Sequence, residues 1–339
     1  MPRSRGRGKS SGGKSIRVGH PVRDLTITEY MVQDALAFGD EDTILDVEEW
    51  ASGWLGEAWR AAGEHQLCLD VVRHAAATPS EHALSAVAAL RRMAPPEEWK
   101  LLDETIERLF ESQPLPTWFG SPAFTPSRAY RSVDPYDSEH VLFIEYGLVP
   151  HVLMAEVYFT GIVWAERLTI LEPNALEAWK RPLSEHPVEE ILAELADAMR
   201  GTDDAPFQPG IEDYADLRAL VWSRCRDHLP APRERTEMDE AERAGILDEF
   251  ETRDPIVRRL AELFLDFGDS YFTSGPLSWS PAWVQFFQVD WLPEEKVALE
   301  AEERAALPGA LRRWVRFALE RRGVAEKWIV PVVEIVSEP

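Results

Sequence analysis

Apolar positions recur along this chain with two periods, and the change between them sets the expected fold class. From Thr26 to about Ser112 the spacing is three to four residues. Leu45, Val47, Trp50, Trp54, Leu55 and Trp59 make one stripe; Leu67, Val71 and Val72, then Leu84, Val87 and Leu90, make further ones. Side chains three and four apart share a helix face, so the pattern predicts four or five helices packed by their apolar sides. Pro79, Pro95 and Pro96 stand where helices start. Glu97 and Glu98 follow in the first turn, where the helix dipole favours acids.

Pro114, Pro116, Pro122 and Pro126, with Gly120, interrupt the pattern between residues 112 and 127. Beyond them the period falls to two. Segments 140–147, 151–159 and 162–171, rich in β-branched and aromatic residues, read as a three-stranded meander, with a further strand near Ala129 to Val133. A four-residue hairpin loop at Gly147 to Pro150 pairs Tyr146 with His151 and Glu145 with Val152. The helical period then returns over 188–199, 211–228, about 237–251, 255–267, 308–322 and from Ala325 onward. The expected class is α+β, mainly helical with one antiparallel sheet of three to four strands. The expected organisation is a basic tail (1–23), an N-terminal helical domain (24–111), a Pro-rich linker (112–127) and an α+β domain (128–339) whose meander occupies about 128–171.

One segment is far more aromatic than the rest. Tyr271, Phe272, Trp279, Trp283, Phe286, Phe287 and Trp291 fall within 23 residues, and Ser280-Pro281 supplies a cap and first position for a short helix. Trp283, Phe286, Phe287 and Trp291 would then share one stripe, which core or partner must cover. The helix expected from Pro308 to Gly323 carries Arg312, Arg313 and Arg316 opposite its apolar arc, facing solvent or pairing with Glu300, Glu302 and Glu303.

Charge adds an asymmetry. The chain is −24 overall, yet residues 1–23 carry seven basic residues and no acid, which leaves −31 on the other 316. Such a body repels nucleic acid and anionic membrane, and only the tail suits a polyanion. The tail contains GKSSGGKS (8–15), a P-loop letter pattern without the strand and helix that loop needs. No stretch reaches the ~18 apolar residues of a membrane span. The best, 149–163, is broken by His151, Glu156 and Gly161. With two distant cysteines, Cys68 and Cys225, and no secretory signal, a cytoplasmic location is expected.

Signals for chemistry are sparse. The eight histidines show neither HExxH nor Cys/His ligand spacing, so no metal or cofactor is expected, and surface or capping histidines are the plainer reading. Glu145, Glu156 and Glu166 interrupt apolar strands and, with His151, are the candidate catalytic groups. In the expected register Glu145 and Glu156 stand about 13 Å apart, at ~3.3 Å per residue, beyond the ~5–9.5 Å of a glycosidase pair. A solvated face of a one-sided sheet is the alternative.

WASGWLG (50–56), VDWLP (289–293) and ALPGALRRWVRFALERRGV (306–324) resemble pieces of a family of uncharacterised actinobacterial proteins. The resemblance implies helical ends, a central β block and a basic Gly-rich tail, and brings no activity. It also implies an Asp-His and a Gly-Gly in the central strands, where this chain reads AEVYFTGIVWAE. The function expected from all of this is a non-catalytic protein-interaction or regulatory module. Its contact candidates are Trp279, Trp283, Trp291, Arg312, Arg313 and Arg316, and its protein partner is unknown. An enzyme with a site in the β block, and a polyanion binder acting through the tail, are the alternatives.

Overall fold

The computed structural model of the chain describes residues 26–35, 43–205, 212–232, 238–250, 253–294 and 297–336. The basic tail and its GKSSGGKS segment lie outside the described residues.

Five helices open the fold: α1 (Ile27–Asp34), α2 (Ile44–Arg60), α3 (Glu64–Ala77), α4 (Glu81–Met93) and α5 (Pro96–Phe110). Their starts follow from local chemistry. Thr26 accepts the Glu29 amide while Glu29 accepts that of Thr26, and Thr43 and Asp46 repeat the reciprocal cap on α2. Ser80 caps α4, and Pro96 opens α5.

Residues 112–125 carry the chain to β1 (Pro126–Val133), followed by β2 (Glu139–Tyr146), β3 (His151–Thr160), β4 (Ile162–Leu171) and β5 (Ser184–His186). All neighbours are antiparallel, in the order β4-β3-β2-β1-β5. The β2–β3 register is the expected one, Tyr146 opposite His151 and Glu145 opposite Val152. The sheet has five strands where three to four were expected, because β5 spans only three residues, too few to show a period, and adds to the outer edge of β1. It is also not one-sided. Leu142, Ile144, Leu153, Ala155 and Val157 face the main core, whose apolar side chains also come from α1–α5. On the opposite face Val141, Phe143, Val152 and Met154 are covered by Leu176, Trp179 and Leu183, from the segment after β4.

Two helices close the main core, α6 (Val188–Asp204) and α7 (Glu212–Cys225). Both approach so closely that side chains are excluded. A Cβ at Gly201 would stand 1.8 Å from the Val163 carbonyl oxygen, and one at Gly56 would stand 2.0 Å from that of Ala215. Beside these contacts Thr202 Oγ1 accepts the Ala165 amide, and Ser52 Oγ accepts that of Leu220.

The C-terminal part builds a second cluster from α8 (Glu240–Phe250), α9 (Pro255–Tyr271), α10 (Pro281–Phe286), a π-turn (Phe287–Trp291), α11 (Leu292–Glu294), α12 (Ala301–Arg321) and α13 (Glu326–Ile335). Ser280 caps α10 as expected, but the π-turn replaces a regular continuation, so the four-ring stripe is not one straight helix face. The helix expected to start at Pro308 starts seven residues earlier. Glu303 accepts the Glu300 amide at 2.9 Å and opens α12, and Pro308 lies inside it. The β1–β2 loop ties this cluster to the sheet. Tyr136 is buried among the C-terminal helices, its hydroxyl donates to the Trp328 carbonyl, and Arg322 donates to the Tyr136 carbonyl. No helix among the described residues is long and apolar enough to cross a membrane.

Candidate functional site

The aromatic belt has a centre. Phe267, fully buried on α9, has the rings of Tyr271, Phe272, Trp279, Trp283, Phe286, Phe287 and Trp291 all within 6.1 Å of its own. Trp279 is fully buried, Trp283 nearly so, and Trp291 half-buried against the same cluster. The arginines of α12 are engaged within the chain: Arg312 donates to the Val336 carbonyl, Arg313 stands over Phe250, and Arg316 pairs with Glu320 and Glu326. The expected partners Glu300 to Glu303 belong to the start of the same helix. Nine residues from Glu303 to Arg312 rise about 13 Å, too far for a pair. Glu303 takes Arg259 instead.

The β-block candidates are dispersed. Glu145 pairs with Arg128 at 2.8 Å and Glu156 with Arg167 at 3.2 Å. Burial raises the Glu156 carboxyl against the pull of Arg167. Glu166 stands beside Tyr158, whose phenol is pushed up first by burial and then by the carboxylates of Glu139, Glu166 and Glu156. The observed register keeps Glu145 and Glu156 four positions apart along the strands.

His151 and His140 are not surface or capping groups, contrary to expectation; both are enclosed. His20 lies outside the described residues. His151 gives its Nδ1 proton to the Val149 carbonyl at 2.6 Å and stacks on Tyr146, while Nε2 is buried without a partner among the described residues. Burial lowers it, and nearby Arg224 lowers it further, so the ring is neutral near pH 7. Arg224 lies 4.0 Å over Phe124 and pairs with the buried Glu48, which also takes two hydrogen bonds from Arg92. This knot joins α2, α4, α7 and the β2–β3 hairpin. Its cations meet a carboxylate and aromatic faces, an arrangement suited to holding elements together.

A Ser-His-Glu line also occurs. Ser184 Oγ is 2.9 Å from His186 Nε2, and His186 Nδ1 is 3.2 Å from Glu190. The Ser184 hydroxyl also reaches the Arg131 carbonyl, and Arg131 occupies Glu190. Ser184 on β5 and Glu190 in the first turn of α6 are both exposed, where water competes for them. With its serine and its carboxylate both tied to Arg131, the line has no member left poised for acyl transfer.

An open cleft lies elsewhere. A cleft of about 440 Å³ opens where the N-terminus of α3, the α4–α5 junction, the C-terminus of α6 and one face of α7 meet. Arg218, Trp222 and Arg226, at i, i+4 and i+8, project from α7 and the 3-10 turn that follows it, while Met93, Pro95 and Ala219 give apolar wall. Asp203 anchors the floor. It accepts two hydrogen bonds from Arg218, at 2.8 and 2.7 Å, one from Tyr214 at 3.0 Å and one from the Trp222 indole at 2.8 Å. Arg218 also donates to Glu64 at 2.9 Å and lies over Trp59. Burial raises the Glu64 carboxyl, Arg218 pulls it down, and Asp203 and Glu97 push it up again; the net direction is up. Arg226 donates to the backbone carbonyls of Trp222 and Ala94 and has no carboxylate partner among the described residues. Burial lowers its guanidinium, opposed by Cys225, Asp227 and Glu97.

None of these cleft residues was a sequence candidate. The visible signal was the Arg218–Trp222–Arg226 spacing on a single helix face. No group of three His, Cys, Asp or Glu among the described residues is arranged to hold a metal ion. Compared with protein-family models, curated proteins and solved structures, the chain matches none.

Proposed function

We propose that this chain is a cytoplasmic, non-catalytic recognition protein with a regulatory role, and that it takes its ligand in the cleft between α3, α5 and α7. The observation that carries the reading is the pre-organisation of that cleft. Its floor is locked by the four hydrogen bonds on Asp203, while Arg226 and Glu64, which also line it, keep some donors and acceptors without a partner among the described residues. A volume of about 440 Å³ sits within the ~300–1,000 Å³ of small-molecule sites. Fixed polar groups around an apolar wall select a ligand without reorganising to do so.

The aromatic belt is a weaker contact candidate, since rings committed to Phe267 cannot also cover a partner without unpacking the core. Membership of the actinobacterial family that the sequence resembles is part of the proposal and adds no activity to it. The test is to purify the full chain from its native cells without denaturation, release bound small molecules, and compare them with those from Glu97→Gln. Glu97 is exposed at the cleft rim, so this variant leaves the fold intact. A species present with the wild type and depleted in the variant supports the proposal. Identical extracts would contradict it.

A further inference from the structure

We propose that the cleft binds a small zwitterion of net positive charge, of which a basic α-amino acid is the simplest form. This rests on the cleft being the recognition site, and adds the chemistry of what fills it.

The argument is one of unspent capacity. The cleft brings together four carboxyls, Glu64, Glu97, Asp203 and Asp227, against two guanidiniums, Arg218 and Arg226. Asp203 is saturated by Arg218, Tyr214 and Trp222, so it builds the site and does not read the ligand. Glu64 takes one hydrogen bond, from Arg218. Glu97 and Asp227 are exposed at the rim and have no ion pair among the described residues. Arg226 has spent two donors on backbone carbonyls, stands over the Trp99 ring, feels Asp227 and Glu97 through space, and has no carboxylate within pairing distance among the described residues.

A ligand must answer both signs. A simple anion could reach Arg226 but would enter a cleft where carboxyls outnumber guanidiniums, and would be repelled. A simple amine would suit Glu64, Glu97 and Asp227 but would leave the half-buried Arg226 opposed to a second cation. A molecule with one carboxylate and two cationic groups satisfies each. Its carboxylate takes Nη2 of Arg226 in a charge-assisted contact, since Nε and Nη1 already donate to Trp222 and Ala94. Its cations lie toward Glu64, Glu97 and Asp227. Its aliphatic stem lies along Met93, Pro95 and Trp222, whose ring orientation is fixed by the indole bond to Asp203. The excess of negative charge over the whole body attracts such a ligand from a distance.

Isothermal titration of the full chain at low salt with L-arginine and with agmatine, which lacks the carboxylate, separates these contacts. We expect L-arginine to bind roughly tenfold more tightly than agmatine, worth about 1.4 kcal/mol for the carboxylate contact. Arg226→Met should abolish that difference, and Glu97→Gln should weaken both ligands by roughly threefold to tenfold. The ligand comparison is made on the unaltered protein, so it stands even if Arg226→Met folds poorly. Equal affinity for the two ligands, binding that ignores Glu97→Gln, or no heat from either at about 10 mM would overturn the proposal. If citrate or phosphate titrates in the same cleft while the amines do not, the ligand class is wrong and the recognition site stands.

Discussion

Raising the pH should loosen the junction between the sheet and the C-terminal helices, through His140. Its side chain is 12% exposed, with Nδ1 2.5 Å from Glu194 on α6 and Nε2 2.9 Å from Asp137 in the β1–β2 loop. Arg131 holds the other oxygen of Glu194, Arg322 from the end of α12 approaches Asp137, and Phe159 covers the ring. Burial pulls the imidazolium down, but the hydrogen bonds to Asp137 and Glu194 outweigh it and hold His140 at about 9, against an ordinary 6.5. A folded-state value above the unfolded one means that folding favours the charged ring. The stabilisation is therefore whole below about 6.5 and is lost as the pH rises through about 9. At about 1.4 kcal/mol per tenfold change in proton affinity, it amounts to on the order of 3 kcal/mol. Packing against Phe159 is common to both protonation states and drops out of the comparison. Urea unfolding at constant ionic strength, from about pH 6 to about pH 10, measures it. The wild type should lose about 3 kcal/mol across that range, whereas His140→Gln should start lower by a similar amount and converge with it at the alkaline end. Two parallel curves would refute the reasoning.

Other predictions concern packing and buried charge. Phe267→Ala removes the ring at the centre of the belt and should cost about 3–5 kcal/mol in denaturant unfolding; a loss below about 1 kcal/mol would show that the belt does not hold the C-terminal helices. Gly201→Ala places a methyl carbon 1.8 Å from the Val163 oxygen, so α6 must lift from β4. A fall of several degrees in Tm is expected, and an unchanged Tm would argue against the close approach. Arg224→Met leaves Glu48 buried with Arg92 as its remaining partner and should destabilise by about 3–5 kcal/mol, while Arg128→Met, on an exposed pair with Glu145, should leave the urea midpoint unchanged.

The sequence exposed the fold more readily than the site, for physical reasons visible at particular residues. Strand register between β2 and β3 was legible because a short loop, Gly147 to Pro150, leaves the chain little freedom in how it returns. Ser280-Pro281 announced α10 because capping is local. Pro308 misled because a proline marks a helix start only when no stronger cap lies upstream, and Glu300 with Glu303 supplies one. β5 was invisible because three residues carry no period and its pairing comes from β1. Beyond the Arg218–Trp222–Arg226 spacing the cleft had no local signature: Glu64 and Arg218, 154 residues apart, meet through the packing of α3, α6 and α7. The same holds for Glu48 and Arg224, 176 residues apart. The aromatic belt stood out in the sequence, and the structure shows those rings gathered around Phe267, where they pack the C-terminal helices.

Crystallographic fragment screening of the full chain tests the central claim most directly, that recognition is built into the cleft and packing into the belt. Small polar fragments should accumulate against Trp222, Arg226 and Glu64, and few should enter the cluster around Phe267. Fragments that leave the cleft empty and instead part the rings of Trp279, Trp283 and Trp291 would contradict the account.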